Sequence, residues 1–143
     1  MKFPYQKLPV HQSPDPSTPR IARPYIPVYL HGEKQSTPSP YYAMLDSGAD
    51  NVLFPSDLAK EVGIADIKTG KGPFSTIGIA GQRAATYFHN LKVQVQGDSR
   101  QLPVMVGFSD NIIIPLLGRS FFKHFKEVVF NEEKERVELK PSS

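Results

Sequence analysis

At 143 residues with a formal charge of +3, the chain suits one domain with a modest core and has no room for two catalytic lobes. The absence of cysteine excludes disulfides, thiol catalysis and thiolate metal sites, and the scattered lysines and arginines give no electrostatic argument for nucleic acid. The apolar runs fall far short of a membrane span and residues 1–5 lack the apolar core of a secretory signal, so a soluble cytoplasmic protein with no membrane partner is expected.

Residues 1–24 are rich in proline (Pro4, Pro9, Pro14, Pro16, Pro19, Pro24), a composition that favours extended backbone and cannot build a core alone. We read 1–24 as a segment lying along a domain that spans 25–143. Residues 25–31 read as a strand, marginal or at a sheet edge because Pro27 has no N–H to give. Residues 32–40 are loop. The β-favouring run Tyr41-Tyr42-Ala43-Met44-Leu45 then carries the chain through an interior and stops at Asp46-Ser47-Gly48. Gly48 lets the backbone turn sharply and Ser47 can hold its neighbours by hydrogen bonds, so the Asp46 carboxylate is presented in a fixed direction. Two readings are open at this point: an Asx-type turn that closes a strand, or a mounted catalytic acid.

Val52-Leu53-Phe54 reads as a short strand. Ser56 is placed to N-cap a short helix over 57–62, with Leu58 and Val62 as its apolar face and Gly63 as its stop. Residues 73–78 and 83–95 form a candidate hairpin, because Leu91, Val93 and Val95 alternate with Lys92, Gln94 and Gln96. Its tip, Ile79-Ala80-Gly81-Gln82, suits either a plain turn or a lid. Residues 102–108 are a further strand. The apolar run Ile112-Ile113-Ile114-Pro115-Leu116-Leu117 ends at Gly118-Arg119, and 120–125 reads as a short helix. A hairpin over 127–131 and 136–140 crosses the turn Glu132-Glu133-Lys134-Glu135, which we read as solvated. Many short strands with two short helices make a mostly-β domain. His11, His31, His89 and His124 have no metal-ligand spacing, so neither a metal nor a cofactor is expected, and no phosphate loop or Ser-His-Asp order is present.

The strand into Asp46-Ser47-Gly48-Ala49-Asp50, the glycine-containing hairpin and Leu116-Leu117-Gly118-Arg119 come in the order of retropepsin-like aspartic proteases, which the chain resembles from about residue 20 to its end. Asp-Ser-Gly alone is a weak match. Together with Leu-Leu-Gly-Arg at this separation it is a fairly strong one, and Arg23-Pro24 resembles the step before the first core strand of retroviral enzymes. The initiator Met and the C-terminal hairpin make the chain more similar to stand-alone prokaryotic members. The resemblance implies a mostly-β acid-protease barrel with a flap hairpin and one or two short helices, active as a homodimer. It makes Asp46 the catalytic aspartate, Ser47 and Gly48 its supports, and Asp50 and Arg119 an ion pair tying the catalytic loop to the helix. Leu116-Leu117-Gly118 match the segment beneath that loop. Gly78, Ile79, Ala80, Gly81 and Gln82 match the flap, and Ala49, Asn51, Ile114 and Leu116 fall where substrate pockets are lined. The chain departs from the family in carrying Ala80 where relatives often have glycine, and in its longer C-terminal hairpin.

Hydrolysis at an aspartic site uses two facing carboxylates that share a proton. The chain has a single Asp-Ser-Gly, so the resemblance implies that a second copy supplies the other Asp46 and that an extended peptide is the substrate. The competing reading is a catalytically silent module for peptide binding or dimerisation, and a third is the protease domain of a mobile element.

Overall fold

The structure, a computed structural model, describes residues 1–9, 15, 17, 20–77, 81 and 83–142. Its strands are β1 (Lys2–Pro4), β2 (Gln6–Pro9), β3 (Arg20–Arg23), β4 (Tyr25–His31), β5 (Tyr41–Leu45), β6 (Val52–Pro55), β7 (Lys71–Ile77), β8 (Arg83–Val95), β9 (Leu102–Ser109), β10 (Leu116–Leu117), β11 (Phe125–Asn131) and β12 (Arg136–Pro141). Two 3₁₀ turns, Ser56–Val62 and Ile67–Thr69, follow β6, and a single helical turn, α1 (Arg119–Phe122), follows β10.

Strands β4, β5, β10, β6, β9 and β8 are neighbours in that order, and β4 also pairs with β8, so the sheet closes into a barrel with β7 hung on the far side of β8. Closure removes the unpaired edges that an open sheet would present. Period-two alternation fills the interior. Ile26, Val28 and Leu30 of β4, Val52 and Phe54 of β6, Val93 and Val95 of β8, and Val106 and Phe108 of β9 are all fully buried. Each such side chain contributes about 1.5–3 kcal/mol. The barrel is thus the rigid frame on which the turns are displayed.

Strand β4 is interior rather than an edge. Its first half pairs with β5 over Tyr25 to Val28, and its second half pairs with β8 over Val28 to His31. Pro27 lies before the β8 ladder begins, and its carbonyl accepts from the Gln96 N–H at 3.0 Å, so the missing donor interrupts no ladder on that side. Ser56 is not an N-cap. Pro55 holds that position with no side-chain bond, and the Ser56 hydroxyl instead donates to the Asp110 carboxylate. The turn it begins still buries Leu58 and Val62 and still ends at Gly63, which adopts φ +84°. Helix α1 is shorter than expected, and Phe125 already belongs to β11.

The proline-rich start is built into strands. β1 adds to the β11–β12 hairpin, and β2 pairs with β3. Tyr5 between them enters the core, while its hydroxyl donates to Glu132 at 2.6 Å and its N–H to the Glu135 carbonyl at 2.8 Å. The charged turn is exposed, as expected, and it also ties down the start of the chain.

Burial, then the bond to Glu132, then the charges of Glu132 and Glu135 push the Tyr5 hydroxyl up from 10.0 to about 12. A folded value above the unfolded one means that the stabilisation is complete below pH 10 and is lost as pH rises toward 12. Tyr5→Phe is expected to cost about 1 kcal/mol at neutral pH. Urea denaturation across the alkaline range should also show a shallower loss of stability in the variant than in the wild type.

Candidate active site

The 46–51 turn is held by main chain. Strand β10 inserts between the two arms of the turn, parallel to β5 with Leu116 opposite Met44, and antiparallel to β6 with Leu117 opposite Val52. On one arm the Met44 N–H donates to the Pro115 carbonyl at 2.9 Å and the Asp46 N–H to the Leu117 carbonyl at 3.0 Å. On the other, the N–H groups of Gly118, Arg119 and Ser120 donate to the carbonyls of Asn51, Ala49 and Asp50 at 3.1, 2.8 and 3.0 Å. Only glycine fits at 118, since a Cβ there would lie 2.4 Å from the Asn51 oxygen and 2.6 Å from the Ala49 oxygen. The requirement is close approach of two backbones, because φ at this residue is an ordinary −89°.

Within the turn the Ala49 N–H donates to the Asp46 carbonyl at 3.2 Å, and the Gly48 N–H donates to Asp46 Oδ1 at 2.9 Å. The Asx-type geometry and the mounting of a carboxylate are therefore the same feature: the bond that closes the turn also aims the acid. Asp46 remains partly exposed.

Strand pleating decides what surrounds it. Ala43, Leu45, Val52 and Leu117 are buried, whereas the alternate positions Met44, Asp46, Leu53 and Leu116 are half-buried. With Leu116 in register with both Met44 and Leu53, these side chains share one outer face and form an apolar floor beside the carboxylate. Met44 and Leu53 were not among the residues expected at the site. Counting by two from Asp46 along β5, and pairing Leu116 across to β6, is the signal that finds them.

Of the expected pocket residues, Ala49 is half-buried, Asn51 is exposed, and Ile114 is 37% exposed on the approach to β10. Ser47 and Gly48 are exposed at the turn. Gly81 adopts φ +81° with open space around it, as a hairpin tip requires. Gly78, Ile79, Ala80 and Gln82 lie outside the described residues. Asp50 and Arg119 are both exposed and form no ion pair with one another; the ion pairs among the described residues are Arg100–Asp98 and Lys140–Glu127. Loop and helix are joined instead by the backbone bonds at 118–120, and water solvates both charges at little cost.

A hollow of about 460 Å³ beside the 110–115 stretch is lined by Tyr41, Ser56, Leu58, Asp110 and Ile113 among others, and Asp46 is not part of it. In the single chain the carboxylate is partly exposed beside this apolar floor. Among the described residues there is no group of three or more His, Asp or Glu that could hold a metal ion, and no helix long and apolar enough to cross a membrane.

A closed barrel whose short strand inserts between the arms of an Asp-Ser-Gly turn defines an acid-protease type of architecture. The comparisons with solved structures place it more narrowly: the chain has the retropepsin-like fold. It is similar to the EIAV protease in complex with an inhibitor (19% identity, TM-score 0.52, covering 71% of this chain and 86% of that one). It is similar also to a retropepsin-like aspartic protease from Rickettsia conorii (16%, 0.58, 79% and 88%) and to the retroviral protease-like domain of Ddi1 from Leishmania major (15%, 0.54, 83% and 89%). No family model and no curated protein matches the sequence.

Gly118→Ala forces a methyl group into two carbonyl oxygens of the Asp46 turn, and the backbones must part to admit it. It is expected to lower stability by several kcal/mol, among the largest single-residue effects. Thermal unfolding measured beside Gly97→Ala, where an added Cβ meets nothing within 4 Å, separates steric overlap from the backbone cost of replacing a glycine.

Proposed function

We propose that the protein is an aspartic endopeptidase that works as a homodimer, each copy contributing one Asp46. The observation that carries this reading is the carboxylate itself: one per chain, aimed by the Gly48 N–H, fixed by backbone bonds on both sides, and standing on an open apolar floor. Two such floors face to face make a cleft. Two carboxylates that close cannot both ionise, so they hold one proton between them and titrate as a unit. The ionised member takes a proton from a water, whose oxygen attacks the scissile carbonyl carbon, while the protonated member gives its proton to the carbonyl oxygen. Collapse of the resulting gem-diol expels the amine, which leaves with a proton, and the shared proton of the pair is restored. The pair acts without a metal or a covalent intermediate.

The substrate is an extended peptide, held largely by main-chain hydrogen bonds with alternate side chains on opposite sides. Met44, Leu53, Leu116, Ile114 and Ala49 give the apolar contacts and Asn51 a polar one. The tip of the β7–β8 hairpin, with Gly78, Ile79, Ala80 and Gly81, covers the peptide. Ser47 and Gly48, with the main chain of Asp50 and Arg119, support the catalytic loop. Residues 25–143 make up the catalytic domain and 1–24 an accessory segment.

The second reading is a silent peptide-binding module, and it draws on the same open floor. Turnover of a peptide library, together with sedimentation of the purified protein, separates the two. Cleavage is expected to be fastest at weakly acidic pH and to fall by at least about 10²-fold in Asp46→Asn. A statine-type peptide should block it. Wild-type turnover by Asp46→Asn, or turnover by a protein that sediments only as a monomer, would falsify the two-carboxylate mechanism, and tight binding without cleavage favours the module.

A further inference from the structure

Thr86 and Ser109 are fully buried polar residues that sit opposite each other across β8 and β9. A buried hydroxyl left without a partner costs about 1–3 kcal/mol, so such a pair persists where both are satisfied. Here each has a partner near it in the chain, and a link 35 residues long joins the two partners. Ser109 Oγ donates to Asn111 Oδ1 at 2.6 Å, Asn111 Nδ2 donates to the Thr76 carbonyl at 3.0 Å, and the Thr76 and Thr86 hydroxyls are hydrogen-bonded to each other. The Thr76 carbonyl can only accept, which fixes the orientation of the amide. Asn111 is thus a two-ended connector, its acceptor held by the barrel and its donor by the outlying strand β7.

Asn111 also opens the irregular stretch that leads to β10. Ile113 and Ile114 within it are 88% and 37% exposed, and Ile77, the residue after Thr76, is 59% exposed. Large aliphatic side chains gathered on adjoining segments in water mark a contact surface. Main-chain bonds among the described residues hold the stretch beyond Asn111: Ile112 N–H to the Ser109 carbonyl at 3.4 Å, and Met44 N–H to the Pro115 carbonyl at 2.9 Å. Among the described residues the amide of Asn111 joins this stretch laterally to β7, and Leu116 continues from it to the floor beside Asp46.

We infer that Asn111 is a positioning residue: it fixes the spacing between β7 and the Ile113-Ile114 stretch, and so sets the width of an apolar subsite for a bulky side chain of the bound peptide. The inference rests on the peptide-cleft reading above. Replacement of the amide by a carboxylate gives a readout that a merely structural role does not. At neutral pH Asn111→Asp opposes an anion to the Thr76 carbonyl, whereas the protonated acid donates to it again. The charged groups flanking the network are Asp110, bound by Ser56, and Arg83, which is paired with Ile77 across the hairpin and donates to Ser75 at 3.4 Å. The negative charge of Asp110 next in the chain further favours the protonated form of the new acid.

The test is binding of two fluorescent statine-type peptides, one with aromatic side chains at its central positions and one with alanine there. Asn111→Ala is expected to weaken the aromatic peptide roughly tenfold, the effect of losing one well-placed hydrogen bond, and the alanine peptide by much less. Asn111→Asp should be weak at neutral pH and should recover relative to wild type as the pH falls through the carboxyl range. Ser109→Ala, which removes one contact at the acceptor end and leaves the bond to Thr76, should show the same selectivity at smaller amplitude. Amide exchange over 111–115 should quicken in Asn111→Ala while thermal unfolding stays cooperative. Equal weakening of both peptides, or variants that match wild type at every pH, overturns the inference alone. Wild-type protein that binds neither peptide overturns the peptide-cleft reading, and the inference with it.

Discussion

Main-chain hydrogen bonds between 115–120 and 44–51 hold together two segments seventy residues apart, and the position of Asp46 depends on them. The bonds are backbone to backbone, so they ask almost nothing of the side chains involved. The exception is Gly118, where the two chains pass too close for a Cβ. Such a clamp tolerates wide sequence change. The chain shares its fold with solved structures only 15–19% identical to it.

The clamp also explains which parts of the fold are legible in the sequence. Asp46-Ser47-Gly48 and Leu116-Leu117-Gly118-Arg119 are legible because turning and close approach narrow the choice of residue at those positions. The return strand of the long hairpin is legible because Leu91, Val93 and Val95 face the core in strict alternation, and it runs over Arg83–Val95 as expected. The place of β4 is not, because whether Pro27 breaks a ladder depends on which half of the strand each neighbour covers, and register is set by the closure of the barrel. Ser56 is a plausible cap on local grounds, but its hydroxyl goes to Asp110, 54 residues on, a partner that no local pattern reveals. The expected pairing of Asp50 with Arg119 supposed that charges would make a connection that the backbone makes without them.

The floor beside the carboxylate follows from the same geometry. Because β10 is in register with both β5 and β6, its alternation is imposed on both: Leu117 joins the core with Leu45 and Val52, and Leu116 faces outward with Met44 and Leu53. A two-residue strand thus sorts six side chains into a packed face and an open one. On the proposed reading this division is what lets one chain be stable and yet chemically incomplete. The core face supplies the stability, and the outer face keeps an apolar surface and a lone acid available for a second copy and a peptide.

Polar burial at the far end of the 111–115 stretch answers a different physical need. Apolar packing fills space but specifies orientation weakly, whereas a satisfied hydrogen-bond network accepts one arrangement and penalises its neighbours. Thr76, Thr86, Ser109 and Asn111 form such a network where the barrel, the outlying strand β7 and the stretch toward β10 converge. One end of that stretch is held by the main-chain clamp at β10 and the other by the amide of Asn111. Ile113 and Ile114 lie between the two, and their exposure is that of side chains presented by a stretch held at both ends. The carboxylate and the apolar surface beside it are therefore positioned by two unlike devices, a backbone clamp indifferent to side chains and a side-chain network that depends on a single amide. The second can be altered by substitution without undoing the first.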